Sequence, residues 1–261
     1  MACEKIFTTC KCFFSVGVIF CYFTTNVLSI KNERPSPDPS SMRVKRASVR
    51  VAVVLTDFHK QLVVDEHNRF RSSVTPPASD MLRMVWYDEL GKTAETHSRL
   101  CLFNHSQGLS TANFSEVGES IYIDGNVRTV SEVLKVAMKS WEDEVRYYSL
   151  QDNFCRQDCS HYTQLVWANT YAVGCGVTTC NNPNAYTGSI WPEGQFVVCH
   201  YGPAGNYFDV KPYVQGTPCS KCTSRFPICS NHLCSSTRSY HQCFAHALIF
   251  GLFFTLAGLN L

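Results

Sequence analysis

Charge is scarce in this chain of 261 residues: 17% are Asp, Glu, Lys or Arg, and the formal net charge is +2. No broad field of one sign is available to hold a nucleic acid, which excludes that class of partner. A His-x-x-x-His pair is absent, so the helical zinc motif of a metalloprotease is missing. Gly118-Glu119-Ser120 starts as a nucleophile elbow does, but Tyr122 stands where the second glycine is required, so no serine-hydrolase turn is encoded. The paired Cys-x-x-Cys arms of a zinc ribbon are lacking too.

Cysteine is plentiful, at fifteen residues, which points to an oxidising, extracellular setting. Lys5 and Lys11 precede an apolar run from Cys12 to Phe23, and residues 1–29 read as a signal peptide, with an uncleaved signal anchor as the alternative. Residues 30–46 form a Pro/Ser-rich and basic linker or propeptide, in which the dibasic run Arg43-Val44-Lys45-Arg46 offers a processing site after Arg46. At the other end, small residues at Ser235, Ser236 and Thr237, a polar spacer and the apolar stretch Phe244 to Leu261 lay out a glycolipid-anchor signal over 236–261. A short transmembrane helix is the alternative. Anchor cleavage there leaves ten cysteines between Cys101 and Cys234, an even number that can pair fully. The expected product is secreted or attached to the outer face of the plasma membrane.

Between these ends, apolar spacing predicts helices over about 57–71 and 88–102, the first placing Phe58, Leu62, Val63, His67 and Phe70 close to one face. Pro76-Pro77 stops the first helix. Thr129 and Glu132 make a capping-box pair for a third helix that buries Val130, Val133, Leu134, Ala137, Trp141 and Val145. Residues 171–179 and 195–201 read as strands of a small antiparallel sheet. Asn104-His105-Ser106 and Asn113-Phe114-Ser115 are sequons, which places Asn104 and Asn113 on an exposed, glycosylated loop. Cys219, Cys222, Cys229 and Cys234 should close two bridges in a Cys-rich hinge over 215–235. Cys101, Cys155, Cys159, Cys175, Cys180 and Cys199 give three more in the main domain, with connectivity left open.

Two ordered motifs, Cys159-Ser-His-Tyr-Thr-Gln-Leu-Val-Trp167 and Val198-Cys-His-Tyr-Gly-Pro-Ala-Gly-Asn-Tyr207, resemble the CAP superfamily of cysteine-rich secretory, antigen 5 and pathogenesis-related proteins. His67-Asn68 with Arg71, Gly118-Glu-Ser-Ile-Tyr122 and Trp141 with Glu144 extend the resemblance, and Pro76 to Met81 with the cysteine tail are most similar to the glioma pathogenesis-related-like branch. The resemblance implies an α+β fold: an α-β-α sandwich with a small antiparallel sheet between helices, stapled by disulfides, over 47–214. It also implies a cleft tetrad of His67, Glu119, Glu144 and His161, whose imidazoles and carboxylates suit a divalent metal such as zinc. Ser120 and His200 stand where that family commonly has Asn.

The expected activity is binding and recognition, with a sterol or lipid, or a cell-surface protein, as partner, and no catalysis. Apolar grooves for such a ligand are sought near Phe103 to Phe114 and Tyr186 to Trp191, where core filling is the competing role of the aromatics. The competing functions are a metal-dependent hydrolase with Glu119 or Glu144 as base, and a structural adhesion protein.

Overall fold

The computed structural model describes residues 6–15, 18–27, 50–181 and 192–236. The processing site at Arg46, the whole linker over 30–46, the groove expected at Tyr186 to Trp191 and the tail from residue 237 lie outside them. The first unit contains one hairpin, in which β1 (Ile6–Ser15) pairs antiparallel with β2 (Val18–Val27). Everything that follows belongs to the second unit.

That unit centres on a sheet with the order β3-β8-β9-β5. Its strands are β3 (Arg50–Val53), β5 (Gly118–Asp124), β8 (Ala172–Asn181) and β9 (Glu193–Gly202), joined antiparallel, with β4 (Val85–Trp86) running parallel to β8. Alternation along the strands divides the core between the two faces. Val197, Cys199 and Tyr201 of β9 join one apolar cluster with α1 (Asp57–Ser72) and α3 (Val130–Glu142). Phe196 and Val198 join another with Ala94 of α2 (Asp88–Ser98). The α-β-α sandwich is thus formed, with α1 and α3 on one side and α2 on the other.

Local chemistry explains why the helices sit there. Val63, His67 and Phe70 recur at helical spacing on the buried stripe of α1, and the helix ends at Ser72, ahead of the two prolines. Arg71 is buried and donates to the carbonyls of Leu82, Leu165, Trp167, Ala168 and Thr170, so its charge is solvated by backbone rather than by water. α3 begins with the capping box: Thr129 accepts from the Glu132 amide and its own amide donates to Glu132. α2 approaches β8 without intervening side chains, since a Cβ on Gly174 or Gly176 would lie 2.1 Å from the Gly91 nitrogen or 2.3 Å from the Glu95 Cα. This is the structural reason for the Gly174-Cys175-Gly176 run.

Three expectations are corrected. Phe58, on the first turn of α1, is 68% exposed because the core is first met at Val63. α2 stops at Ser98 rather than Leu102: Cys101 takes a positive φ of 56° and is bonded to Cys180 on β8, which draws the chain off the helix axis. Val145 is 37% exposed because α3 gives way to a 3-10 turn over Asp143–Tyr147.

The remaining elements are a short hairpin of β6 (Tyr148–Ser149) and β7 (Phe154–Cys155), α4 (Ser160–Leu165), and a terminal hairpin of β10 (Ile228–Ser230) and β11 (Leu233–Ser235). All ten cysteines from Cys101 to Cys234 are paired, three bridges in the body and two in the hinge. Cys155–Cys159 closes the loop just before α4, Cys175–Cys199 links β8 to β9, and Cys219–Cys229 with Cys222–Cys234 brace the hinge. The hinge is sewn to the body, because Leu233 is fully buried in the main core and Cys234 exchanges backbone hydrogen bonds with Met81 and Arg83. Among the described residues, no helix is long and apolar enough to cross a membrane.

Candidate metal-binding cleft

Glu119 is the second residue of β5, directly opposite His200 of β9. Both point toward the α2 face, and the His200 Nε2 lies 3.0 Å from the Glu119 carboxylate. The loop after α2 brings His105 to the other oxygen, with Nδ1 at 2.8 Å. Ser106 donates twice to the same carboxylate, from its amide at 2.9 Å and its hydroxyl at 2.8 Å. Burial alone would raise the Glu119 carboxyl, but the bonds from His105, His200 and Ser106 outweigh it and hold the group well below the usual carboxylate range. Bonding to Glu119 in turn raises His105, whereas burial lowers His200 and favours its neutral form.

A second pair stands where α3 gives way to its 3-10 turn. Glu144 reaches the start of α4, one oxygen 2.7 Å from His161 Nδ1 and the other accepting from the amides of His161 and Tyr162 at 3.1 Å. The carboxylate thus meets the unpaired amides of the first helical turn. The His161 ring stacks on Trp141, with centroids 5.9 Å apart and planes 14° from parallel. Asp158 accepts from the Ser160 amide, the main reason its carboxyl is held low, and the charges of His161 and His105 act in the same direction. Asp158 is therefore the carboxylate on which the charges of both imidazoles act.

The tetrad expected from sequence must be corrected at one member. His67 is fully buried on the opposite face of the sheet, its Nδ1 2.7 Å from the Val63 carbonyl and its Nε2 3.1 Å from the Tyr201 hydroxyl, so neither nitrogen is open to a ligand. Burial lowers its pKa to about 4. His105 stands in its place beside Glu119. In the sequence His105 stands out only as the middle of a sequon. The alternation of β5 was the signal that could have found it, because Glu119 shares a face with Ile121 and hence with α2, never with α1.

His97 was also missed. From α2 its Nδ1 lies 2.8 Å from the Ser106 hydroxyl and its Nε2 lies 2.8 Å from the Asn104 carbonyl, gripping both neighbours of His105. At the expected apolar groove near Phe103 to Phe114 the aromatics themselves fill core, Phe103 packing edge-on against Phe196 and Phe114 buried between Tyr87 and Tyr171, while Leu100, Ser106 and Leu109 line a cavity of about 330 Å³ against Thr93, Thr96 and His97 of α2.

His105 and His161 each have Nδ1 bound to a carboxylate, which leaves Nε2 as the free ring nitrogen. Metal-ligating histidines are commonly oriented by a carboxylate in this way. Glu144, Asp158 and His161 each offer a donor atom within 4.8 Å of the others. The similar grouping of Cys219, Cys222 and Cys234 is tied up in disulfides and supplies no thiolate.

Fold and cleft together define a class: a disulfide-stapled α-β-α sandwich with a His/Glu cleft on its surface. The family described as CAP, the cysteine-rich secretory protein family, matches residues 64–201, and the chain belongs to it. It is 41% identical over 173 residues to GLIPR1-like protein 1 of Bos taurus, covering 64% of this chain and 67% of that protein. It is 37% identical over 195 residues to glioma pathogenesis-related protein 1 of Mus musculus, covering 74% of this chain and 70% of that protein. Among solved structures, NaASP2 with Zn2+ aligns at a TM-score of 0.55 and 28% identity, covering 69% of this chain and 97% of that one.

Proposed function

We propose that this CAP protein is an exported or cell-surface recognition module that takes up a divalent cation, zinc being the best chemical match, between His105 and His161. The observation that carries the reading is the pairing of each Nδ1 with a carboxylate, His105 with Glu119 and His161 with Glu144. Two imidazole nitrogens and the Asp158 carboxylate form a donor set suited to zinc. When bound, the ion supplies a fixed positive charge that can bridge to an anionic group on a partner surface. Export and surface attachment are supported by the disulfides and by the exposure of both sequon asparagines, Asn104 and Asn113. A sterol, a lipid or a surface protein remains the class of partner.

Binding is favoured over hydrolysis because the carboxylates are already committed. Glu119 accepts four hydrogen bonds and is held strongly acidic, which makes it a poor general base. Glu144 accepts three and orients His161.

Calorimetric titration of the folded protein with zinc chloride tests the reading. One ion per chain should bind, His105→Ala combined with His161→Ala should abolish uptake, and His67→Ala should leave the stoichiometry unchanged. Uptake that survives the double substitution, or no uptake by the unaltered chain at micromolar zinc, would overturn it.

A further inference from the structure

A second cavity, of about 420 Å³, lies between the Cys-rich hinge and the body and shares no residue with the His/Glu cleft. Asp80, Asn169 and Tyr171 line it from the body, and Lys221, Arg225 and Phe226 from the hinge. Arg225 lies over two rings, 5.4 Å from the Tyr171 centroid and 5.3 Å from that of Phe226, and these rings are 5.5 Å apart. One guanidinium donor touches the Tyr171 hydroxyl at 3.4 Å. Neither Arg225 nor Lys221 forms an ion pair among the described residues.

The backbone that carries these groups is held in place before any ligand arrives. The Lys221 amide donates to the Ser79 carbonyl at 2.9 Å, and Arg225 and Phe226 sit in the loop bracketed by Cys219–Cys229 and Cys222–Cys234. A stacked guanidinium keeps its planar fork for a carboxylate or sulfate, and a lysine beside it adds a point charge. The opposite wall decides against a bare anion. Asp80 is half-buried there, with its charge partly offset by Lys221 and Arg71, and it would repel a free anion while accepting a bond from a hydroxyl. Asn169 adds a donor and an acceptor, and the ring pair adds an apolar face. A ligand meeting all four demands carries a negative group, several hydroxyls and a ring with an apolar side.

We propose that this cavity binds an acidic saccharide, one bearing a carboxylate or a sulfate. Its volume is in the range of small-ligand sites. The proposal is independent of the metal reading, because the two sites use different side chains.

Calorimetry on the full chain with three probes tests it: a sulfated heparin tetrasaccharide, sialyllactose, and lactose as the neutral control. At least one acidic probe should bind saturably and lactose should not. Binding to the tetrasaccharide alone identifies sulfate as the recognised group, and binding to sialyllactose alone identifies carboxylate. Lys221→Ala and Arg225→Ala should each weaken binding by about tenfold or more with unchanged melting temperature. Arg225→Lys should not restore it, since an ammonium lacks the fork. Binding should persist with EDTA and in the His105→Ala, His161→Ala protein. The proposal is overturned if neither acidic probe binds at millimolar concentration, if the two charge removals leave affinity unchanged, or if EDTA abolishes binding, which would assign the saccharide to the metal cleft.

Discussion

His200 and Tyr201 are neighbours on β9 but serve opposite faces of the sheet. His200 lies 3.0 Å from Glu119 on the α2 side, whereas the Tyr201 hydroxyl lies 3.1 Å from His67 on the side of α1 and α3. The sheet therefore separates two histidine systems. His67 and Tyr201 belong to the buried core, and His200 anchors the carboxylate that orients His105.

Replacing His67 should consequently damage the fold and spare the site. His67→Ala leaves a cavity and strips the Tyr201 hydroxyl of a partner, at a cost of about 2 to 4 kcal/mol. His105→Ala, at a side chain that is 61% exposed, should change stability by less than about 1 kcal/mol. Urea denaturation of both variants measures the difference. Equal destabilisation would contradict the separation.

Acid should weaken the fold through His67 before the carboxylates take part. Folded His67 stays neutral down to about 4, while its unfolded counterpart takes up a proton near the ordinary value of 6.5. The unfolded state therefore binds more protons in this window, and stability falls as pH drops from about 6.5 toward 4, by roughly 3 kcal/mol in the limit. His200, lowered by burial, acts with the same sign. His105, raised by Glu119, opposes it, but its exposure to solvent weakens that effect. The low-lying Glu119 and Asp158 contribute stability that is complete above about 4.5 and is lost below it. Urea midpoints at pH 7.5, 6 and 5 should decline in the unaltered protein and decline less in His67→Asn. The same slope in both would show that another group is responsible.

Elements with strong periodicity were legible in the sequence. α1 and α3 revealed themselves by apolar spacing and, for α3, by Thr129 and Glu132. The disulfide count followed from parity. Of the four expected tetrad members, Glu144 pairs with His161, Glu119 with His105 and His200, and His67 with Tyr201 in the core. His67 misled because a histidine on a helical apolar stripe carries the same letters whether it is a ligand or a core residue. His105 and His97 were hidden because their contacts form through a loop with no repeating pattern, closed by Cys101–Cys180 across 79 residues of sequence. Pairing of that kind is set by tertiary packing, which spacing does not encode.

The packing of α2 on β8 gives a further test. Gly176→Ala would drive a methyl group to within 2.3 Å of the Glu95 Cα, a backbone atom that cannot rotate away. Since α2 also carries His97, the helix must shift, and both the fold and the cleft should suffer. A loss of about 3 kcal/mol or more, or a collapse in secreted yield, is expected. Gly108→Ala is the contrasting case: nothing lies within 4 Å of the added carbon, and the only penalty is that of its φ of 59°, about 1 kcal/mol. Comparison of melting temperatures checks the pair.

His97 holds the tripeptide that carries His105, and its donor count shows how. The Asn104 carbonyl can only accept, so His97 Nε2 carries a proton. The Ser106 hydroxyl lies 2.8 Å from His97 Nδ1 and also bonds the Glu119 carboxylate at 2.8 Å. The Nε2 lies 3.8 Å from Glu119. Removal of the ring frees the residues on either side of His105 without touching any proposed metal donor. His97→Phe keeps the bulk and loses both bonds, and it should weaken zinc binding by roughly 10- to 100-fold, the usual cost of losing an outer-shell partner. His97→Gln, which keeps one donor for Asn104, should recover part of that loss. Calorimetric zinc affinity checks both variants, with proton and nitrogen shifts of the His105 ring reporting whether its bond to Glu119 survives. An unchanged affinity in His97→Phe would show that Glu119 and Cys101–Cys180 are enough to place His105.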